Sequence, residues 1–272
     1  MARSRLLEAL TPASKYQGFT LVELIAVIVI IGIISALGSG FMINLLDSHK
    51  VLETQSHLVR RGNLIVEQIS RPLRMSVPNS VRVSASGNCI EYLPIVAASN
   101  YQGNLPDATN NMVATNTIAT GAFTLGVGTP TQVVIAPLQS SEIYTNASPS
   151  ARVALGTLGA EPISAVPLAS NAIFLRNSPS QRLYLAANPE RFCWLGTQLI
   201  RYSGYGLLTD IDDDNPGGTG DLFGHNISTA STAFSLSTDA QDRNAAVIIN
   251  ISLTQNSHTL NFNHKVIIRN VP

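Results

Sequence analysis

The chain has 272 residues, of which 45% are hydrophobic and 12% are charged, and its formal net charge is zero. This length suits one globular domain with an appendage better than two full domains. Nucleic-acid binding needs a basic face, so the balanced charge argues against DNA or RNA as the main partner.

The N-terminal block combines a polar leader with a long apolar run. Residues 1–18 carry three basic residues against one acidic residue, and no charged residue occurs from Leu24 to Leu46. As a helix, that apolar run would extend about 35 Å, enough to cross a hydrocarbon core of about 30 Å. We therefore expect a transmembrane segment at about 21–46. The basic leader predicts a cytoplasmic N-terminus and a C-terminal portion outside the inner membrane.

A secretory signal would share the basic start and the apolar core, but its cleavage site follows the core. Ser35 to Gly38 loosely resembles such a site. The apolar run continues beyond it to Leu46, however, and the carboxylate of Glu23 lies at its start. These features favour a membrane anchor.

The residues at the start of the run carry a family resemblance. Gly18-Phe19-Thr20-Leu21-Val22-Glu23, followed by an apolar helix, resembles the class III signal of type IV prepilins and type II secretion pseudopilins. The resemblance covers about a tenth of the chain. It implies that a prepilin peptidase cuts between Gly18 and Phe19, that Phe19 is N-methylated, and that Glu23 acts in subunit assembly.

Two interpretations of Glu23 follow from its chemistry. A carboxylate inside a helix bundle needs a counter-charge, which the new amine of Phe19 on a neighbouring subunit would supply. Alternatively, the carboxylate only stabilises the positive end of the helix dipole. Gly38 and Gly40 are similarly ambiguous, since they either let the helix stretch during assembly or permit close helix packing.

The helix should continue past the membrane, so the segment 19–76 is predicted as one long helix from about Thr20 to about Met75. Apolar residues after the membrane recur at helical spacings and predict one buried face. They are Leu52, Val59, Leu64, Val66, Ile69 and Leu73. Pro78 and Asn79 mark the exit from the helix.

Residues 77–272 are expected to form a β-rich globular domain outside the cytoplasm, because the hydrophobic period changes to two. The fold class is therefore α+β and type IV pilin-like, with a long helix packed on an antiparallel sheet. Asn100 to Ala169 is expected to be mostly loops with one or two strands. The predicted strands are Ser80–Val83, Cys89–Val96, Thr131–Ala136, Ile173–Leu175, Arg182–Ala186, Leu199–Tyr202, Ala233–Leu236, Ala246–Leu253 and Thr259–Ile268.

The chain has two cysteines, Cys89 and Cys193, both downstream of the apolar run. In an oxidising compartment a disulfide is the expected state, and two buried free thiols are the alternative. Without a clustered histidine pair, two cysteines do not make a zinc site.

A second resemblance concerns the C-terminal half. Tyr202-Ser-Gly-Tyr205-Gly206 and the terminal Arg269-Asn270 pair are similar to the MshO-type minor pilins of the mannose-sensitive haemagglutinin (MSHA) pilus. The implied partners are prepilin peptidase, other pilin subunits, the inner-membrane assembly platform and, before assembly, the lipid bilayer. The alternatives are a J-type minor pseudopilin of type II secretion and a membrane-anchored adhesion or binding domain.

An acidic stretch suggests calcium as a possible ligand. Asp210, Asp212, Asp214 and Asp221 surround several glycines, and alternating carboxylates suit Ca²⁺. The terminal Glu of an EF-hand is missing, and a solvated turn is the simpler interpretation. The five histidines lack any catalytic partner signature, so the sequence predicts no enzyme and no other cofactor.

Overall fold

The computed structural model describes residues 18–228, 232–237 and 244–269. Residues 1–17 of the predicted leader and Asn270 of the terminal Arg-Asn pair lie outside the described residues. The chain divides into two compact units, Met1–Glu53 and Thr54–Pro272.

Helix α1 spans Leu21–Arg74 and runs without interruption through Gly38 and Gly40. The predicted long N-terminal helix is therefore confirmed. Pro72 lies in the last turn, so the hydrogen bond that it removes and the clash of its ring with the carbonyl four residues back disturb only the end of the helix. The chain then leaves the helix through Met75 and Ser76, whose N–H groups donate to the carbonyls of Pro72 and Leu73.

The second half of α1 buries a somewhat different face from the predicted one. The buried apolar positions are Leu58, Ile65, Val66, Ile69 and Leu73. Leu52, Val59 and Leu64 were expected on this face and are exposed. At 100° per residue, Val59 and Leu64 lie on opposite flanks of the arc that Leu58 and Ile65 share. Apolar residues on both flanks left the direction of the buried face undetermined in the sequence.

Fifteen strands and a short helix follow α1 in the described residues. The helix is α2, Ser141–Tyr144, between β5 and β6. The strands are β1 Arg82–Val83, β2 Cys89–Tyr92, β3 Ile95–Asn100, β4 Thr115–Phe123, β5 Gln132–Val134, β6 Arg152–Ala154, β7 Ile163–Ala172, β8 Arg182–Ala186, β9 Glu190–Leu195, β10 Gln198–Ser203, β11 Thr219–His225, β12 Ile227–Ser228, β13 Phe234–Ser237, β14 Asn244–Gln255 and β15 His258–Arg269.

The strands form antiparallel sheets, which confirms the predicted α+β class. One five-stranded sheet has the order β1-β2-β9-β10-β11, and one four-stranded sheet has the order β3-β8-β5-β6. In another four-stranded sheet, β12 and β13 pair with different parts of one edge of β14, and β15 pairs with the other edge of β14. Strands β4 and β7 form a separate two-stranded ribbon.

The two largest apolar cores in the described residues join these sheets. The first joins the buried face of α1 to the five-stranded sheet and to the β14–β15 pair. The second lies among β3, β4, β5, β7 and β8, with Phe174 fully buried in it. Packing of the helix on an antiparallel sheet is therefore confirmed for the part of α1 after Thr54.

The β14–β15 pair agrees most clearly with the strands that the sequence pattern predicts. Val247, Ile249 and Ile251 point into the first core, as period-two alternation predicts. From Asn250 to Thr254 the opposite face is polar, and cross-strand side-chain hydrogen bonds join Ser252 to Asn261 and Asn250 to Asn263, both at 2.6 Å.

Other strand predictions were wrong or incomplete. Ile173–Leu175 is not a strand, because Phe174 makes only isolated bridges to Asp107 and Ser150. The region Asn100 to Ala169, expected to be mainly loops, contains β4, β5, β6 and most of β7. Strand β9, which carries Cys193, was not predicted.

Gly62 gives a stability prediction, because the Phe262 ring of β15 packs directly against it in the first core. At an exposed helical site, Gly→Ala stabilises by about 1 kcal/mol. Here the new methyl group would occupy the space of the ring. We expect Gly62→Ala to lower the free energy of unfolding by about 1–3 kcal/mol. Denaturant unfolding of the detergent-solubilised full chain, followed by Trp194 fluorescence, measures the change.

The control is the same substitution in a Phe262→Ala background, where space for the methyl group exists. There Gly62→Ala should stabilise the protein, because only the gain in helix propensity remains. The same sign in both backgrounds would contradict the packing argument.

Candidate assembly site and buried charge network

Helix α1 begins with a capping box formed by Thr20 and Glu23. The Thr20 hydroxyl oxygen accepts a hydrogen bond from the Glu23 backbone N–H at 3.3 Å. In return, Glu23 Oε2 accepts from the Thr20 backbone N–H and hydroxyl, both at 3.2 Å. This reciprocal arrangement satisfies N–H groups that a helix start otherwise leaves free. The helix-end role of Glu23 is therefore present in the single chain, whereas the pairing role involves a second subunit.

Gly18 and Phe19 precede the capping box and are not helical. Both residues are exposed, and the Phe19 side chain is 75% accessible. The peptide bond between them therefore lies in irregular, accessible backbone, which is the kind of segment that proteases cut.

The first half of α1 exposes apolar side chains on all sides. From Leu21 to Leu46, every side chain whose exposure is described is exposed. Among the described residues, α1 is the one helix long and apolar enough to cross a membrane, judged by length and composition. A soluble surface rarely presents such a segment, so a bilayer or other helices must cover it.

The predicted disulfide is present, and Cys89 is bonded to Cys193. The two cysteines face each other on neighbouring strands, since Cys89 of β2 is the register partner of Cys193 of β9. Both are fully buried. The bond closes a span of 104 residues that contains the second core.

Two residues from the disulfide, the same strands carry a buried ion pair. Glu91 of β2 is the register partner of Arg191 of β9, and the side chains of both are fully buried. Arg191 Nη2 and Nε donate to Glu91 Oε1 at 3.1 and 3.2 Å. Arg82 of β1, opposite Glu91 on its other side, donates through Nε to Glu91 Oε2 at 2.6 Å. Glu91 thus lies between two arginines on adjacent strands.

The same arginines hold the loop that follows β10. Arg191 Nη1 contacts Asp212 Oδ1 at 3.1 Å and also donates to the backbone carbonyls of Asp212 and Asp214. Arg82 donates to the carbonyls of Leu208 and Thr209 at 2.8 and 2.6 Å. The loop is therefore fixed by guanidinium groups that also neutralise Glu91.

Tyr205 and Tyr144 complete the network. The Tyr205 hydroxyl donates to Glu91 Oε1 at 2.9 Å, and the Arg82 guanidinium carbon lies 3.6 Å from the centre of the Tyr144 ring. Burial and the charge of Glu91 raise the pKa of Tyr205 far above its usual value, so its hydroxyl remains a donor. Burial is the largest single influence on the pKa of Arg191 and would lower it, but the neighbouring charges, Glu91 first, and the hydrogen bonds to Glu91 and Asp212 together outweigh burial and raise that pKa.

The carboxylates predicted to hold calcium are not brought together. Asp212 pairs with Arg191, while Asp221 lies on β11 opposite Arg201. Asp210 and Asp214 are exposed and contribute backbone carbonyls to the arginines. Over the described ranges, no three His, Cys, Asp or Glu side chains are placed to share a metal ion. Calcium binding stays a prediction that this geometry does not support.

Asp213, between two of the predicted ligands, has a structural role instead. It accepts hydrogen bonds from Ser86 Oγ at 2.7 Å and Asn88 Nδ2 at 3.1 Å. Partial burial alone would raise the pKa of Asp213, but the hydrogen bonds from Ser86, Ser84 and Asn88 outweigh burial and lower it. The acidic loop is thus anchored at Asp212 to strand β9 and at Asp213 to the turn between β1 and β2.

Comparison with known proteins bears on the N-terminal segment. Residues 13–39 match the family model of the prokaryotic N-terminal methylation motif. The chain carries an N-terminal methylation motif. No curated protein and no solved structure matches the chain. The motif, followed by an apolar helix and an antiparallel sheet domain, fits a membrane-anchored, pilin-like protein processed as a prepilin.

Sequence reasoning missed the buried network. Arg82 and Glu91 lay in predicted strands without a role, and Tyr205 was noted only as part of a longer motif. Arg191 belongs to β9, a strand that was not predicted. A usable signal existed, because Glu91 and Arg191 lie symmetrically about the two cysteines.

Proposed function

We propose that this chain is a prepilin that is cut between Gly18 and Phe19 by a prepilin peptidase and N-methylated at Phe19. It is then incorporated as a minor subunit into a type IV, MSHA-type pilus. Its role is structural, in the initiation or assembly of the filament, and not catalytic. The observation that carries the proposal is the methylation motif at residues 13–39, which includes the exposed, non-helical Gly18 and Phe19 and the first turns of α1.

The geometry of Glu23 supports a second role for its carboxylate. Both capping interactions use Oε2, which leaves Oε1 for a further donor. After cleavage, Phe19 carries a cationic amine directly before the capping box. When helices bundle, lipid is replaced by protein and an unpaired carboxylate becomes costly. The Phe19 amine of a neighbouring subunit would neutralise it.

A minor rather than a major role is supported by size and by the C-terminal domain. The compact unit Thr54–Pro272 is a bulky domain with two apolar cores, which would pack poorly at every position along a filament. The MSHA-type assignment rests on the Tyr202-Ser-Gly-Tyr205-Gly206 stretch. In this chain that stretch has a structural function, because the Tyr205 hydroxyl binds the buried Glu91.

Substitutions at Glu23 test the proposal with two readouts, the mature N-terminus and filament incorporation. In cells with a prepilin peptidase and a pilus assembly system, mass spectrometry of the wild-type protein should show an N-terminal, methylated Phe19. Glu23→Ala should still insert into the membrane, but its incorporation should fall at least about tenfold because it lacks the counter-charge. An intact leader or cleavage near Gly38 would refute the prepilin proposal.

Two matched variants separate the capping role from the charge. Glu23→Gln keeps the capping box, in which Gln replaces Glu well, but removes the negative charge. Thr20→Ala removes the cap and keeps the charge, at a cost of about 1 kcal/mol at the helix end. We expect Glu23→Gln to fail in assembly like Glu23→Ala, and Thr20→Ala to assemble. The reverse pattern would assign Glu23 to capping alone.

A further inference from the structure

One flank of α1 beyond the membrane segment carries a stripe of side chains that are exposed except for the half-buried Arg61. His57, Arg60, Arg61, Leu64 and Gln68 follow the spacing i, i+3, i+4, i+7 and i+11, which places them in one row on a helix. All belong to the compact unit Thr54–Pro272. The row is about 17 Å long, or three helical turns.

Two adjoining shallow pockets, which share Arg61 and Leu64, lie along the stripe and together form a shallow groove. Leu222 and Phe223 of β11 form one wall beside Leu64, and Gln255 at the β14–β15 turn borders the groove near His57. Arg61 fixes the distance between helix and strand, because its Nη2 donates to the His225 carbonyl at 2.5 Å. Leu64 and Leu222 are 58% and 57% exposed, so the groove presents apolar side chains to its surroundings.

The charge of the groove is one-sided. Arg60 and Arg61 line it, and no aspartate or glutamate is among its described lining residues. From Thr54 to Arg74 the helix carries four arginines and one glutamate. Two copies of this chain meeting along these helices would therefore bring like charges together, which disfavours self-association.

We propose that this groove binds an acidic, amphipathic helix of a different filament subunit. The straight row of three turns fits a helix laid lengthwise, with its apolar residues on Leu64 and Leu222 and its carboxylates on Arg60 and Arg61. Guanidinium groups suit this task because they pair with carboxylates through two parallel hydrogen bonds. The inference rests on the proposed function, since it assumes incorporation beside other subunits.

The groove also explains why Leu64 is exposed on a helix whose opposite flank is buried. While it faces water, the Leu64 side chain contributes little free energy of burial. When a partner covers it, the same side chain becomes a central anchor of the interface. The partner supplies both the apolar contact and the missing negative charge.

A photo-crosslinking residue at position 64 of the full chain, produced in cells that assemble the filament, tests the proposal. We expect crosslinks to one other subunit, mapped by mass spectrometry to a helix that carries Asp or Glu. Arg60→Glu should reduce this crosslink at least about tenfold through like-charge repulsion. Arg71→Glu is the matched control, with the same charge change on the same helix outside the groove, and it should retain the crosslink.

A crosslink to a second copy of this chain, a crosslink to a strand or loop, or equal loss in Arg60→Glu and Arg71→Glu would overturn the proposal. Unchanged Trp194 fluorescence in Arg60→Glu excludes misfolding as the cause of a loss. A methylated N-terminus and Glu23-dependent incorporation without the crosslink would refute the groove alone. Unprocessed wild-type protein would refute the proposed function instead.

Discussion

Replacing Glu91 by Gln is expected to lower the free energy of unfolding by about 3–5 kcal/mol, because it leaves buried arginines without their main counter-charge. The Arg191 side chain is fully buried, and its remaining ionic partner would be Asp212, whose side chain is 63% exposed. The substituted amide would retain the shape of the side chain but offer only a neutral acceptor to Arg82, Arg191 and the Tyr205 hydroxyl. The loss would also release the loop at Asp212 that these arginines hold.

Denaturant unfolding of the detergent-solubilised full chain measures this loss, with Trp194 as the probe. Trp194 is the only tryptophan and lies in β9, three residues from Arg191. Glu142→Gln is the matched control, because the Glu142–Arg176 pair is partly exposed and should contribute only about 1 kcal/mol. Similar losses in the two variants would contradict the argument from burial.

A double variant distinguishes a lost attraction from an uncompensated charge. Adding Arg191→Met to Glu91→Gln removes the buried cation, so part of the stability should return. If Arg191→Met instead adds a further loss of the same size, then the two residues contribute independently, and Glu91 does not act mainly by neutralising Arg191.

The buried ion pair was within reach of sequence reasoning. A disulfide between adjacent antiparallel strands fixes their register, so residues two positions on from one cysteine face residues two positions before the other. From Cys89 and Cys193, this rule places Glu91 opposite Arg191, as observed. The opposite charges at these positions could therefore have been paired before the structure was known. The Arg82 and Tyr205 contacts could not, because they depend on the path of a loop.

The strong periodic segments were predictable, and the weak ones were not. Helix α1 and the β14–β15 pair follow regular patterns over many residues, so their types were assigned correctly. The ribbon of β4 and β7 was missed because its pairing has irregular register between Thr115 and Thr117 and again between Ala119 and Phe123. Such irregularities break the period of two, and many of the outward positions are Ala, Ser or Thr.

The segment from Gly18 to Glu23 shows a different limit of prediction from the sequence. The sequence identified Gly18, Phe19 and Glu23 from their resemblance to prepilins, and the single chain shows Glu23 in a capping box. The proposed ionic role involves the amine of another subunit, so no single-chain geometry contains it. Capping uses Oε2 of Glu23, so the proposed pairing would use the other carboxylate oxygen.

Loss of the Cys89–Cys193 disulfide should lower the free energy of unfolding by about 4–5 kcal/mol, the value that the chain-entropy model gives for a loop near 100 residues. The bond closes a span of 104 residues, which includes the whole second core. Without it, the unfolded chain gains conformations while the folded contacts of β2 and β9 remain. Trp194 fluorescence during denaturant unfolding should show the change in both Cys89→Ala/Cys193→Ala and reduced wild-type protein, and a loss confined to the alanine variant would point to packing instead.

The disulfide and the Glu91 network join the same two strands, yet they act on different states. The disulfide restricts mainly the unfolded chain, whereas Glu91 neutralises arginines in the folded one. Their contributions should therefore add, so Glu91→Gln should cost the same free energy with the disulfide intact or reduced. A cost that shrinks by more than about 1 kcal/mol on reduction would show that the disulfide also holds β2 and β9 in the register that pairs Glu91 with Arg191. In that case the ion pair would be a consequence of the crosslink rather than an independent link between the strands.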